Sequence, residues 1–157
     1  MNDSGSNNNI IKNKVSDDNI VNMFMECINV TQDKYITIPE LEKKIKHYER
    51  FSFIEQMFND IGKQCLQLQD KGYTLQKILV EHIVYFEKDD LFVYISMDTL
   101  SDESNDTSWM EYLSLVILSF IHENKEVALT KIIDSSLYFA IQRCLHIEKE
   151  SRRFIFI

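Results

Sequence analysis

Apolar residues concentrate in one segment near the middle of the chain's second half. Residues 109–121 carry a single charged side chain, Glu111. A helix without a polar face belongs inside a protein, so the pattern predicts a helix over about 109–122 that is buried on all sides. The segment is shorter than the ~20 apolar residues that a membrane-spanning helix needs. We therefore expect the other helices to pack around this one.

Apolar residues at three- and four-residue steps predict a long amphipathic helix over 51–71, which ends at Gly72. Its apolar stripe consists of Ile54, Met57, Phe58, Ile61, Cys65 and Leu68. Thr37 and Glu40 have the spacing of a capping box, which predicts an earlier helix from there to about Arg50. Two short helices are also predicted later in the chain, over 126–134 and 136–145.

Two β-forming stretches flank an acidic turn at residues 87–90. They predict a β-hairpin over about 82–96. A hairpin is only marginally stable alone, so this one is expected to lie on the helices. Residues 98–108 are polar and predict a loop. The predicted fold is therefore mainly α, a helical bundle around the buried central helix with one small hairpin.

The two ends of the chain have different patterns. Residues 1–18 are rich in Asn, Ser and Asp and predict a disordered polar tail, followed by a single domain over 19–157. Residues 19–30 suit either a strand or a short helix, and periodicity does not decide between them. The apolar residues 154–157 are expected to dock on the domain.

Composition narrows the possible functions. Only three glycines and one proline occur in 157 residues, which favours helices over turn-rich β folds. The net charge is −8, and an acidic surface repels phosphate backbones, so nucleic acid is not an expected partner. Cys27, Cys65 and Cys144 are far apart and no secretory signal is present, which predicts buried thiols in a reducing, cytoplasmic compartment. No zinc or calcium motif occurs, so no metal is expected.

Four short stretches occur in the order found in one known family. Residues 68–73 read Leu-Gln-Asp-Lys-Gly-Tyr, and residues 78–84 contain Ile, Glu, Ile and Val at a fixed spacing. Residues 112–118 are apolar, and residues 143–152 contain Arg-Cys-Leu, then Glu and Arg. Together these stretches resemble the C-terminal lobe of a protein kinase. The resemblance implies a kinase-like helical domain that lacks the N-terminal lobe.

Carried over position by position, the resemblance implies that the catalytic loop is degenerate. Leu75, Gln76 and Lys77 stand where a kinase has His-Arg-Asp. A cation therefore replaces the aspartate that accepts the proton of the substrate hydroxyl. His82 stands where a kinase has its metal-binding asparagine.

The metal-binding loop and the phosphate loop also depart from the family's pattern. Ser96, Met97 and Asp98 stand at the Asp-Phe-Gly stretch, and a shift of one or two residues would bring Asp98 to the metal-binding position. Gly5 is the only glycine before Gly62, so a Gly-rich phosphate loop is missing. No cofactor is therefore expected.

Some residues are expected to have structural roles. In kinases an arginine near the end of the lobe pairs with a buried glutamate, so Arg152 is expected to form a partly buried ion pair with Glu103 or Glu111. The expected core contains Phe58, Ile61, Trp109, Leu113, Val116, Ile117, Phe120 and Leu145.

Three functions follow from these observations. The first is a catalytically inactive, kinase-like interaction or scaffold module that binds a protein partner, because fold and catalytic site are separable. The second is a structural component of the virion of a large DNA virus, since the Asn-, Ile- and Lys-rich composition resembles products of AT-rich viral genomes. The third is a residual nucleotide-binding phosphotransferase. Neither membrane association nor nucleic-acid binding is expected, and the oligomeric state is left open.

Overall fold

A computed structural model of the chain describes residues 34–96, 98, 100–102 and 108–146. Of these residues, 58% are helical and 13% lie in strands. The predicted mainly α fold with one hairpin is therefore wrong, because the described residues form five α-helices and five strands in two small sheets. Three of the strands contain only two residues each, and a two-residue strand leaves no alternation for a sequence pattern to reveal.

The elements follow one another in a mixed order. The strands are β1 Ile36–Thr37, β2 Thr74–Leu75, β3 Ile83–Phe86, β4 Leu91–Tyr94 and β5 Leu100–Ser101. The helices are α1 Ile38–Lys44, α2 Arg50–Asp70, α3 Trp109–Ser119, α4 Lys125–Lys131 and α5 Ser136–Leu145. Two 3-10 turns, His47–Glu49 and Val80–His82, precede α2 and β3.

The larger sheet is antiparallel and has the strand order β1-β3-β4. The β3–β4 hairpin lies where the two β-forming stretches predict it, with Tyr85 opposite Phe92. Ile36 of β1 pairs with Tyr85 on the other side of β3, a pairing that the sequence did not reveal. The second sheet joins β2 to β5, which lies inside the predicted loop over 98–108, and pairs Thr74 with Ser101.

Helix α1 begins with the predicted capping box. The Thr37 hydroxyl accepts a hydrogen bond from the Glu40 N–H, and the Glu40 carboxylate accepts one from the Thr37 N–H at 3.2 Å. The hydrogen bonds that the Thr37 N–H and hydroxyl donate to the Glu40 carboxylate lower the pKa of this exposed carboxyl. The helix ends at Lys44, and its predicted extension to about Arg50 is wrong. A new turn begins after Lys46 instead, because the Glu49 carboxylate accepts a hydrogen bond from the Lys46 N–H at 2.9 Å and caps that turn.

Helix α2 has the predicted length and the predicted stop. Its apolar stripe is buried, and Gly72 just after it has a φ of +89°, a conformation that suits glycine at the end of a helix. The helix packs against α3 and against strand β4. It therefore joins the helical part of the fold to the larger sheet.

Helix α3 lies against α2, α4 and α5, but it is not buried on all sides as predicted. Tyr112 is 37% exposed and Leu115 is 44% exposed, because the neighbouring elements cover only part of the helix circumference. Of the residues expected in the core, five are buried, namely Phe58, Ile61, Trp109, Leu113 and Ile117. The other three, Val116, Phe120 and Leu145, are partly buried against the core.

Candidate functional site

The structure separates the degenerate catalytic-loop positions by environment. Leu75 lies in β2 and is buried, whereas Gln76 and Lys77 are exposed in the connection that follows. His82 ends the 3-10 turn before β3, and its ring meets Tyr94 edge-on at 6.0 Å between centroids. Leu75 and His82 thus serve the packing of the fold.

The degenerate metal-loop positions follow strand β4. The Ser96 hydroxyl accepts a hydrogen bond from the Asp98 N–H at 3.4 Å, and Asp98 is exposed. Met97 lies outside the described residues. Across the part of the chain that the structure describes, no three His, Cys, Asp or Glu side chains converge as metal ligands would.

The expected ion pair remains a prediction. Arg152 and Glu103 lie outside the described residues, as do residues 1–33, with Cys27, and 154–157. Glu111 is exposed on α3. Cys65 and Cys144 are buried, and burial raises the pKa of the Cys65 thiol. Within the described residues, no helix is both long enough and apolar enough to cross a membrane.

A polar stripe on α2 forms hydrogen bonds with strand β4 and with the hairpin turn. It consists of Gln56, Asp60 and Gln64, which recur at four-residue steps and therefore lie on one face of the helix. Strand β4 is the edge of its sheet, so its outward N–H and C=O groups need partners from outside the sheet. The polar stripe supplies these partners.

Gln64 forms the innermost of these contacts. Its side chain is 0% exposed. Its amide nitrogen donates a hydrogen bond to the Tyr94 carbonyl at 2.7 Å, and its amide oxygen accepts one from the Tyr94 N–H at 2.8 Å. The side-chain amide thus pairs with the strand as a neighbouring strand would.

Asp60 and Gln56 continue the stripe toward the hairpin turn. The Asp60 carboxylate accepts hydrogen bonds from the Phe92 N–H at 3.0 Å and from the Gln56 amide at 3.3 Å. Partial burial raises the pKa of the Asp60 carboxyl, although these two hydrogen bonds act in the opposite direction. The polar stripe is therefore bonded to strand β4 through the partly buried carboxylate of Asp60.

Asp90 ends the hairpin turn and is held in place from two sides. The Gln56 amide donates hydrogen bonds to the Asp90 carbonyl at 2.8 Å and to its Oδ1 at 3.0 Å. The Tyr85 hydroxyl donates to the same Oδ1, and burial together with this bond raises the pKa of Tyr85. Asp90 has a φ of +51°, a conformation that Asp tolerates better than most residues. Its carboxylate is thus fixed relative to α2.

A groove of about 400 Å³ opens between this turn and the start of α2. We call it the Tyr48 groove, and its lining consists of Tyr48, Glu49, Ser52, Phe53, Gln56 and Asp90. The Tyr48 side chain is 76% exposed, the largest exposure of any large apolar side chain in the described residues. The Lys46 ammonium lies over its ring, 5.9 Å from the centroid. The groove therefore combines aromatic rings with two carboxylates.

Sequence reasoning missed both the polar stripe and the Tyr48 groove. The four-residue spacing of Gln56, Asp60 and Gln64 was not a usable signal, because Glu55, Asn59 and Lys63 on the same helix have the same spacing, and Asn59 and Lys63 are exposed. The groove had no signal either, since Tyr48 and Asp90 are 42 positions apart in the sequence. Comparison of the chain with protein families, with curated proteins and with solved structures finds no match.

Proposed function

We propose that the chain is a non-catalytic module that binds a protein partner through the Tyr48 groove. The observation that carries the proposal is the 76% exposure of Tyr48 at a groove of about 400 Å³. Tyrosine is among the residues that contribute most to binding at protein interfaces. The groove volume lies in the range of small-molecule pockets, roughly 300–1,000 Å³, so the groove is large enough to take a side chain of a partner.

The elements around the groove favour binding without rearrangement. Gln56 extends from α2, and its amide fixes Asp90 by two hydrogen bonds. Phe53, also on α2, meets the Tyr85 ring of β3 edge-on at 5.6 Å between centroids. A site held by a helix and a sheet loses little conformational entropy on binding, which increases affinity.

The sequence supports the non-catalytic character of the proposed module. Lys77 stands at the position where the kinase resemblance places the proton-accepting aspartate, and a cation does not serve as that base. The buried thiols of Cys65 and Cys144 accord with a reducing compartment, such as a cytoplasm. A role in the virion of a large DNA virus would be one setting for such a module.

The experiment places a photo-crosslinking residue, benzoylphenylalanine, at position 48 of the full chain, in cells that express it. The control has the same residue at position 139, because Phe139 is also aromatic and 62% exposed but lies on α5. We expect one discrete crosslinked protein at position 48 and none at position 139. A product at position 139 alone, or at neither position, would contradict the proposal.

A thermal-shift measurement tests the alternative of a residual nucleotide-binding enzyme. A ligand that binds only the folded state raises the melting temperature by mass action. We expect no rise with ATP and Mg²⁺. A clear rise would replace the interaction module with a nucleotide-binding protein.

A further inference from the structure

We infer that the Tyr48 groove binds an arginine or lysine side chain of the partner, held between the Tyr48 ring and the carboxylates of Glu49 and Asp90. This inference rests on the proposed function and names the chemistry of its site. Three properties of the groove support it, namely the charge of its lining, the fixed position of Asp90 and the cation that Tyr48 already attracts.

The lining of the groove favours a cation over an anion. It contains two carboxylates, Glu49 and Asp90, and no basic side chain. Ser52 belongs to the first turn of α2, whose helix dipole adds roughly half a positive charge there. Two full negative charges exceed this contribution even when the single positive charge of Lys46, which lies over the Tyr48 ring, is added to it. The net charge of −8 also steers cationic groups toward the protein.

Asp90 is positioned to accept a hydrogen bond from a ligand. The Gln56 amide and the Tyr85 hydroxyl both donate to its Oδ1. An ionised carboxylate can accept about four hydrogen bonds, so Asp90 keeps acceptor capacity for a guanidinium or an ammonium group. Glu49 also keeps acceptor capacity, because the Lys46 N–H takes one hydrogen-bonding position on its Oε1 and an ionised carboxylate offers about four.

The Tyr48 ring already holds a cation from its own chain. The Lys46 ammonium lies 5.9 Å from the ring centroid, which is within the ~6 Å range of a cation–π interaction. An incoming cation must therefore compete with Lys46 for the ring or for the nearby carboxylates. This competition predicts that removing the Lys46 charge strengthens binding, whereas removing the Asp90 charge weakens it.

The test uses the full chain with N-acetyl-arginine amide as the probe and its neutral citrulline counterpart as the chemical control. Nuclear magnetic resonance titration should show chemical-shift changes at Tyr48, Asp90 and the Gln56 side-chain amide with the arginine probe only. Asp90→Asn should weaken binding about three-fold, the loss of one exposed charge pair. Asparagine tolerates the positive φ and keeps an oxygen for Gln56, so the variant should fold. Lys46→Gln should tighten binding about two-fold.

Two matched controls lie at the other end of α2. Asp70→Asn and Lys71→Gln change the net charge by the same amounts at exposed positions, about 27 Å along the helix from Ser52. That separation exceeds the ~10 Å Debye length at 0.1 M salt, so neither control should change binding. Equal effects of Asp70→Asn and Asp90→Asn, or equal responses to citrulline and arginine, would overturn the inference.

The outcomes separate this inference from the proposed function. A partner crosslinked at position 48, in a chain that shows no response to the arginine probe, would overturn the inference and leave the proposed function standing. An arginine response confined to the groove, with the two opposite effects of Lys46→Gln and Asp90→Asn, supports the inference even where crosslinking at position 48 finds no partner.

Discussion

Helix α2 makes two contacts of different chemical character. Toward α3 the contact is mainly apolar, with one hydrogen bond from Trp109 Nε1 to the Gln69 side chain at 3.4 Å. Toward β4 it presents the polar stripe, which forms hydrogen bonds with the backbone of the strand. The Phe53 ring of α2 also meets the Phe92 ring of β4 at 6.2 Å between centroids. The two contacts therefore differ in proportion, since buried apolar area dominates toward α3 and directed hydrogen bonds are added to it toward β4.

The difference shows what each contact can specify. Apolar burial is non-directional and roughly proportional to the area removed from water. The hydrogen bonds to β4 have narrow limits of distance and angle. Because Gln64 and Asp60 contact Tyr94 and Phe92 respectively, the stripe fixes the register of the hairpin on the helix.

The largest expected effect comes from breaking the apolar contact. Leu113→Ala removes a side chain that is 0% exposed at the centre of α3, and should lower the free energy of unfolding by about 2–5 kcal/mol. Urea denaturation would measure it. Leu115→Ala on the same helix is the control, because Leu115 is 44% exposed and should cost less than about 1 kcal/mol. Equal losses would show that α3 is not buried as described.

The next effect comes from breaking the polar contact. Gln64→Leu keeps the size of the side chain but leaves the buried N–H and C=O of Tyr94 without these partners, so it should cost about 2–3 kcal/mol. Gln67→Leu, one turn along on the same helix at a half-buried position, is the control and should be nearly neutral. Equal free energies of unfolding for the Gln64→Leu and Gln67→Leu variants would contradict this expectation.

The apolar contact was largely predictable from the sequence, and the polar contact was not. Every residue of the predicted α2 stripe is buried, because burial follows the 3.6-residue period of the helix. Gln64 looks like a surface residue in any hydrophobicity pattern. Its burial depends on a strand edge that is formed 30 residues later in the chain. The short strands β1 and β5 escaped prediction because pairing across the fold, not local sequence, creates them.

The candidate site was even less predictable. The kinase resemblance predicted the site at positions 75–77, 82 and 96–98, whereas the groove is formed by residues before and within α2 and by the end of the hairpin turn. Asp90 was recognised only as part of an acidic turn. What distinguishes it is the pair of donors, Gln56 and Tyr85, that approach it from α2 and β3.

The smallest expected effect is the pH dependence of the stability that Asp60 contributes to the polar contact. Burial raises the pKa of Asp60 above its ordinary value of 3.8, so the folded chain binds a proton there more readily than the unfolded chain. The contribution of Asp60 to stability therefore increases as the pH falls through the raised pKa toward 3.8, and it decreases as the pH rises.

The comparison with Asp60→Asn isolates this contribution, because asparagine can still accept hydrogen bonds from Phe92 and Gln56 but does not titrate. The free energy of unfolding of the unaltered chain, relative to the variant, should increase between pH 7 and about pH 4. Urea denaturation at several pH values would measure it, and the difference should be smaller than the effect of Gln64→Leu. A relative stability that falls with decreasing pH would mean that Asp60 is held mainly by its hydrogen bonds.

The cover that α2 places over β4 also affects how separate molecules meet. An exposed strand edge is a template on which a strand from another chain can add, and such addition leads to aggregation. The outward N–H groups of Phe92 and Tyr94 are already bonded to Asp60 and Gln64, so a second molecule finds no free donor at either place. The two side chains that bond the backbone of β4 thus also oppose the joining of copies of this protein through that edge.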